Sequence, residues 1–275
     1  MKDHLKIVMI GAGRVATNLA REFVSQGLDV AEVWSHSRES AEGLAEQLRA
    51  SAPDDTYDCR AMWDNFEQVC CDADLYIVAV KDAVLSDVVQ SLHDGRENAL
   101  MVHTAGSMST SVFTDIGHSR CGVFYPMQTF SKERAVDFTR VHFFIEATQR
   151  GDEILLNELA CLLTRNVGFV HSSTPALRRR LHLAAVFACN FLNHCCTIST
   201  DILESAGLDF SALLPLVDET VAKLHVLPAR EAQTGPAVRG DDNVIGMHLA
   251  MLTGRRDLQK IYSLLTKSIQ DYDKL

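Results

Sequence analysis

Positive charge is scarce in this chain. Its 26 lysines and arginines are outnumbered by 36 acids, for a formal net charge of −10. No basic run offers the electrostatic footprint that holds a phosphate backbone, so no nucleic-acid partner is expected. The short run Arg178-Arg179-Arg180 reads as a solvated face at a helix start. Long hydrophobic runs are missing as well, since no stretch approaches the ~20 apolar residues of a membrane span. Residues 1–6 lead into a short apolar run that ends at Gly11, without the h-region or cleavage site of a signal peptide. The expected location is therefore the cytoplasm, with no membrane partner. The eight cysteines form no C-x-x-C pair, and no His/Cys/Asp/Glu group has ligand spacing, so no metal is expected. Thiols in apolar context in a reducing compartment act as small buried hydrophobes.

What is present fits a globular α/β protein. With 275 residues and 47% hydrophobic content, the chain can supply two domains and at least one sizeable core. From residue 5 to about 173, short β-like runs alternate with helical stretches, the pattern of a parallel sheet covered by helices. The strands predicted are Lys6–Ile10, Val30–Ser35, Leu75–Val80, Ala99–His103, Gly122–Tyr125, Val141–Ile145 and Val167–Val170. Apolar residues at 15, 16, 19, 20, 23 and 24 predict a helix over Val15–Gln26. Beyond Ser173 no β-like run recurs. Helices are predicted over Ala176–Ala206, ending at Gly207, over Phe210–Leu227 with Asp209 as N-cap, over Val244–Leu252, and from Asp257 onward; Ala229–Asp242 reads as a loop. The domains are thus a Rossmann-type dinucleotide-binding domain, 1–173, and an all-α substrate or dimerisation domain, 174–275. The helix at 176–206 is apolar on more than one face, which a homodimer through the C-terminal helices would cover; burial among helices of its own chain is the alternative.

The sharpest motif is Ile7-Val8-Met9-Ile10-Gly11-Ala12-Gly13-Arg14-Val15-Ala16, a strand running through G-x-G-x-x-A into a helix. Gly11 permits the tight turn, Gly13 lets the backbone approach a pyrophosphate, and Ala16 allows close helix–strand packing. The amides at the helix start, with Ala12, Arg14 and Val15 beside them, then face an anion. Alone, such a motif is often a mere strand-to-helix turn; the flanking strand, helix and next strand raise it to a dinucleotide site. The choice of dinucleotide lies at the tip of the second strand, where an acid would take the ribose hydroxyls of NAD and a base would take a 2′-phosphate. There the chain reads Ser35-His36-Ser37-Arg38. Ser35, Ser37 and Arg38 favour NADP over NAD, and Glu32 falls inside the strand.

Ligands of open α/β sheets lie beyond the carboxyl ends of the strands, which brings forward Val80-Lys81, Thr104 and the segment after Tyr125. Val80, Lys81 and Thr104 are expected against the cofactor. Hydride chemistry needs a proton donor or acceptor besides the cofactor. His103 at a strand end is one candidate, with a hydrogen-bonded structural histidine as the alternative. His182 and Asn190, eight apart on the long helix, can share a face toward the cleft. Within Thr234–Asp242, Arg239 could hold an anionic substrate group, and Asp241 could cap the next helix or orient a proton-transfer group.

Together these blocks resemble a known family. Ile10–Ala16, Trp34–Arg38, Tyr125–Phe130, His182–Asn190 and Thr234–Asp241 are similar to the DUF2520-containing, Rossmann-like NADP oxidoreductases, relatives of pyrroline-5-carboxylate reductase and the β-hydroxyacid dehydrogenases. The resemblance covers nearly the whole chain and implies a Rossmann domain followed by a helical, commonly dimerising one. The chain departs from its relatives in three places. The helix at 176–206 has no lysine four before an asparagine, Thr234-Gly235-Pro236-Ala237 is not a double-glycine loop, and Tyr125 stands where relatives often carry histidine. The function expected is an NADP-dependent oxidoreductase for a small, anionic carbonyl or imine substrate. A non-catalytic NADPH sensor and a dimeric interaction protein are the alternatives.

Overall fold

The computed structural model describes residues 5–54 and 56–272, so residues 1–4 of the leader reading lie outside it. The chain divides into two compact units, 1–193 and 194–275. The division expected at 173/174 coincides with the end of the last strand, whereas the compact units part later, within the long helical stretch.

Unit 1 is built on an eight-stranded sheet: β1 Lys6–Ile10, β2 Asp29–Trp34, β3 Arg60–Met62, β4 Leu75–Val78, β5 Leu100–His103, β6 Cys121–Met127, β7 His142–Ala147 and β8 Val170–Ser172. The spatial order is β3-β2-β1-β4-β5-β6-β7-β8. Six of the seven neighbouring pairs are parallel; β6 and β7 run antiparallel. The parallel sheet expected from the sequence is present, with this one antiparallel pair. A parallel return needs a crossover helix, and the connection from 128 to 141 holds only the 3-10 turn Phe138–Arg140.

Alternation along the strands feeds two apolar layers. Ile7 and Met9 of β1 face one layer with Leu19 and Phe23 of α1 (Arg14–Ser25), Leu44 and Leu48 of α2 (Arg38–Ser51), and Leu156 and Leu159. Val8 and Ile10 face the other, with Leu85 and Val89 of α3 (Asp82–His93) and Phe113 of α4 (Ser111–Thr114). Helix α5, Arg150–Thr164, supplies Leu156 and Leu159. The α1 stripe buries Ala16, Leu19, Ala20, Phe23 and Val24, the positions its periodicity marks.

After β8, Thr174 caps α6, Pro175–Ala185, by accepting the Leu177 N–H at 3.3 Å, with Pro175 in the first turn. A π-helical turn, Val186–Phe191, interrupts the helix before α7, Leu192–Glu204. The helix ends where Gly207 takes φ +72° and the Leu208 and Gly207 amides reach back to the carbonyls of Leu203 and Glu204. Pro175–Glu204 is long and apolar enough to cross a membrane, which the sequence reading did not anticipate; helices packed against protein show the same composition.

Unit 2 contains the remainder of α7, then α8 Leu214–Lys223, α9 Ala229–Ala232, α10 Pro236–Arg239, α11 Asp242–Met251 and α12 Arg256–Asp271. Asp209 caps the 3-10 turn leading into α8 by accepting the Ser211 N–H at 2.8 Å. The stretch 229–242, expected as a loop, carries two short helices, because Pro236 presets a helical first turn and Gly240 ends it at φ +62°. Among the described residues of this unit, the buried apolar side chains are Ala237 and Leu258.

One correction concerns Arg178, expected on a solvated face. It is fully buried. Its guanidinium pairs with Glu146 of β7, donates to Ser173 Oγ at 3.1 Å and to the Met108 carbonyl at 3.0 Å, and thereby fixes the start of α6 against β7 and the loop after β5. Removing one member of a buried pair strands the other. Arg178→Met is therefore expected to lower unfolding stability in urea by about 3 kcal/mol, and adding Glu146→Gln to restore part of it. Equal stability of Arg178→Met and the unaltered chain would refute this anchoring role.

Candidate functional site

The phosphate loop is set by contacts that only glycine allows at position 11. Gly11 has φ +118°, and a Cβ there would lie 2.5 Å from the Ala79 carbonyl oxygen. Its N–H donates to the Trp34 carbonyl at 2.7 Å, while the Ala79 N–H donates to Ile10 at 2.7 Å, so the carboxyl ends of β1, β2 and β4 converge here. Gly13 is the N-cap of α1 and has no side-chain cap, and a Cβ built on it meets nothing within 4 Å. The first intrahelical bond shown runs from Thr17 to Gly13, which leaves the amides of Arg14, Val15 and Ala16 without an i−4 partner. No acid stands in the first turn of α1. Open space, free amides and a positive dipole end together fit a pyrophosphate.

Inside β2, two residues before its tip, Glu32 is fully buried, pairs with Arg60 of β3 and accepts the Cys70 N–H at 2.9 Å. Its carboxylate is thus engaged inside the sheet. Ser35 donates its N–H to the Met62 carbonyl, and Ser37 caps α2 by accepting the Ser40 N–H at 3.2 Å. Arg38 is exposed, bonds Glu42 through Nε at 2.8 Å, and lies over the Trp63 ring, 5.0 Å from its centroid. Val80 is half-buried beside the position a Gly11 Cβ would take, and Lys81 is the exposed N-cap of α3.

The loop after β5 is shaped by His103, which is fully buried and stacked on Phe113 at 5.7 Å. Nδ1 accepts the Ala105 N–H at 3.2 Å, and Nε2 faces the Ser109 carbonyl at 3.3 Å. Burial, foremost, pushes its pKa down to about 4. Both nitrogens are committed to backbone, so this geometry gives the structural alternative rather than a free acid/base. Thr104, buried, donates its N–H to the Val78 carbonyl, and Ser107 donates to Asp82, joining the loops after β5 and β4.

His182 and Asn190 are both exposed. Eight residues at ~100° each would set them about 80° apart in an unbroken α-helix. The π turn between them, at roughly 80° per residue, removes that offset and puts both on one face. Tyr125, at the carboxyl end of β6, was missed as a site residue although its departure from the family pattern flagged it. Its ring lies 6.5 Å from that of His182, edge-on, and abuts Gly106, where a Cβ would come within 2.7 Å of Cζ. Burial pushes its phenol up. Tyr125, His182 and the loop 104–107 are thus brought together in unit 1. Arg239 and Asp241 belong to unit 2: Arg239 is exposed at the end of α10, and Asp241 caps α11 by accepting the Val244 N–H at 3.2 Å.

Two cavities flank this edge and its opposite. One of about 560 Å³ opens at the amino ends of the strands, beside Leu5, Asp74, Asn98 and the Arg120–Asp152 pair, away from the phosphate loop. A second, of about 310 Å³, follows β6 and is lined by Gln128, Thr129, Ser131, Arg134 and Arg140. The Asn18 side chain ties this segment to α1 through the Ser131 carbonyl at 2.7 Å. No metal-binding group of three His, Cys, Asp or Glu occurs among the described residues.

Comparisons with known proteins agree with this geometry. The family model described as NADP oxidoreductase, coenzyme F420-dependent, matches residues 6–106, and DUF2520, a domain of unknown function, matches residues 141–269. No curated protein matches the chain. Among solved structures, a candidate NADP oxidoreductase from Bacteroides fragilis is similar at 42% identity, covering 98% of each chain with a TM-score of 0.88. A Thermotoga maritima protein shares 20% identity, covering 98% of this chain and 100% of its own, at a TM-score of 0.65. The NADP-bound pyrroline carboxylate reductase of Plasmodium falciparum shares 12%, covering 98% of each chain, at a TM-score of 0.53. The last two show the fold. With phosphate loop, sheet order and near-complete alignment in agreement, the chain belongs to the family of Rossmann-type NADP oxidoreductases that carry a C-terminal DUF2520 domain.

Proposed function

We propose that the protein transfers a hydride between NADP(H) and a small, anionic carbonyl or imine compound. The observation that carries the reading is the phosphate loop, with an open Gly13 and three amides without an i−4 partner, next to a β2 tip that offers Ser37 and Arg38 and whose Glu32 is engaged inside the sheet. Bound nicotinamide supplies or accepts the hydride. The chain's own part is to orient it, exclude water and move a proton. Gly11, Ala12, Gly13, Arg14 and Val15 hold the pyrophosphate, Ser35, Ser37 and Arg38 the adenosine end, and Val80, Lys81 and Thr104 the nicotinamide half. His182, beside Tyr125 and in line with Asn190, is the proton-transfer group, and His103 shapes the loop beneath them. Arg134 and Arg140 in the cavity after β6 favour an anionic substrate. Asp241 serves as a cap. The functional division remains 1–173 for the cofactor and 174–275 for substrate and dimerisation, in the cytoplasm.

The homodimer has its own support. Leu183, Phe187 and Phe191 on the helix after β8, and Met247, Met251 and Leu264 in unit 2, are large apolar side chains left exposed, with Met251 at 74%. Unit 2 buries too few apolar side chains to hold a helical fold alone. A second copy offers the same helices and closes the surface by a two-fold axis.

Three outcomes are expected. Titration followed by nicotinamide fluorescence gives tighter binding of NADPH than NADH; Arg38→Ala weakens NADPH about tenfold or more, and Gly13→Val removes both without lowering the unfolding midpoint. Equal affinity for the two, unchanged in Arg38→Ala, refutes the reading. Light scattering after gel filtration gives twice the chain mass of 30.4 kDa, and Met251→Lys with Leu264→Lys gives one chain mass; a monomeric unaltered protein refutes the dimer. His103 is neutral when folded and protonates near pH 6.5 when unfolded. The fold then binds fewer protons, so its contribution is full above about pH 6.5 and is lost as pH falls toward 4. The urea midpoint should fall across that window, and His103→Asn should flatten the slope; an identical slope counts against a buried neutral imidazole.

A further inference from the structure

Sequence reading placed Arg38 at the adenosine end but gave it no neighbours. The structure supplies two. Trp63 is the first residue past the carboxyl end of β3, and Arg38 lies over its ring at 5.0 Å. Glu42, one turn along α2, holds Arg38 Nε at 2.8 Å. Trp63 leads into a packed segment. Next to it, Asp64 takes φ +67°, and Phe66 stacks on the buried Trp34 at 4.2 Å. The buried Arg96 then gathers the carbonyls of Phe66, Val69 and Cys70. The indole of Trp34 has its Nε1 buried without a partner, so packing rather than hydrogen bonding holds it there. Arg38 and Glu42 are exposed, with 67% and 39% of their side chains in contact with solvent.

We propose that Trp63 and Glu42 set the cofactor preference through Arg38: the indole holds the guanidinium plane at the β2 tip, and Glu42 is the carboxylate that a 2′-phosphate displaces from it. This rests on the NADP reading above and names two residues that tune it. A guanidinium held over an indole keeps N–H donors available to an anion. An exposed pair such as Arg38–Glu42 is weak and readily exchanged. A phosphate near two negative charges outcompetes one carboxylate for the same fork. Glu42 then lowers affinity for the phosphorylated cofactor without touching the unphosphorylated one. Trp63 does the reverse, raising affinity for the phosphorylated form by reducing the disorder of a long side chain before binding.

The probes are adenosine 2′,5′-bisphosphate and 5′-AMP, which differ at the 2′ position alone, titrated calorimetrically into the full chain. Glu42→Gln should bind the bisphosphate about two- to fivefold more tightly, with 5′-AMP unchanged. Trp63→Ala should bind the bisphosphate roughly three- to tenfold more weakly, with little change for 5′-AMP, and Trp63→Phe should recover part of the loss. Unfolding midpoints identify any Trp63 variant that fails to fold, and Glu42→Gln on the helix surface carries the test in that event. Equal weakening of both probes by Trp63→Ala makes the indole an adenine wall and overturns its action through Arg38. An unchanged bisphosphate affinity in Glu42→Gln overturns the competing role of the carboxylate. Binding of neither probe by the unaltered protein overturns the cofactor reading and this inference together, an outcome distinct from selective failure of the variants.

Discussion

The approach of Gly11 to Ala79 is the constraint on which the site depends. At this point three strand ends are drawn together, through Gly11 to Trp34 and Ala79 to Ile10. A side chain at 11 would meet the Ala79 carbonyl and demand a φ that β-carbons resist. Because that contact is closed, the chain turns sharply into α1 and leaves the helix amides facing outward rather than into the sheet. Everything the adenosine end requires follows from its geometry. The β2 tip is held beside the loop by the Trp34 carbonyl, and Ser37 can begin α2 where a ribose would lie.

A second group of constraints is built on the buried charged side chains Glu32, Arg178 and Arg96. Glu32 with Arg60, Glu146 with Arg178, and Arg96 among backbone carbonyls each stitch a loop or edge element to the sheet. A buried charge contributes little net stability against an apolar replacement, yet removing its partner is costly. The effect of these contacts is to fix position. Arg60 brings β3, and so Trp63, beside α2, while Arg178 brings the start of α6, and so His182, over the loop after β5. The polar network inside the sheet thus decides what stands on its rim.

Much of this was legible in the sequence. Strands β1, β2 and β4 to β7, the α1 stripe, the phosphate loop and the place of Glu32 inside β2 follow from period, turn chemistry and strand position. The strand expected over Val167–Val170 is displaced, because Asn166 caps a 3-10 turn over Val167–Phe169 and β8 begins only at Val170. Strand β3 was not legible, because Arg60-Ala61-Met62 is too short for alternation to register and has no β-branched residue. It is held by long-range contacts, Arg60 to Glu32 and the Tyr57 hydroxyl to the Val30 carbonyl at 2.8 Å. Missing β3 also hid Trp63. Arg178 misled for a related reason: three arginines in a row look solvated, and its partner Glu146 is distant in sequence. The π turn has no local signature at all in Val186–Phe191. The spacing of His182 and Asn190 pointed to a shared face, but a regular helix would have missed it by most of a quarter turn.

The contrast between the two units gives the last step. Unit 1 has apolar layers on both faces of its sheet. Unit 2 buries Ala237 and Leu258 and leaves Leu216, Val226, Met251 and Leu264 more than 60% exposed. Conformational entropy is lost by every ordered residue of those helices, and that little buried apolar surface does not offset it. A covering surface is therefore a condition for the helical unit to hold its shape, not an addition to it. The π turn sharpens the point. Phe187 and Phe191, packed edge to face at 5.0 Å, lie in the same turn as Asn190. The six residues that carry Asn190 thus also carry exposed aromatic surface, with Phe187 and Phe191 both open to solvent.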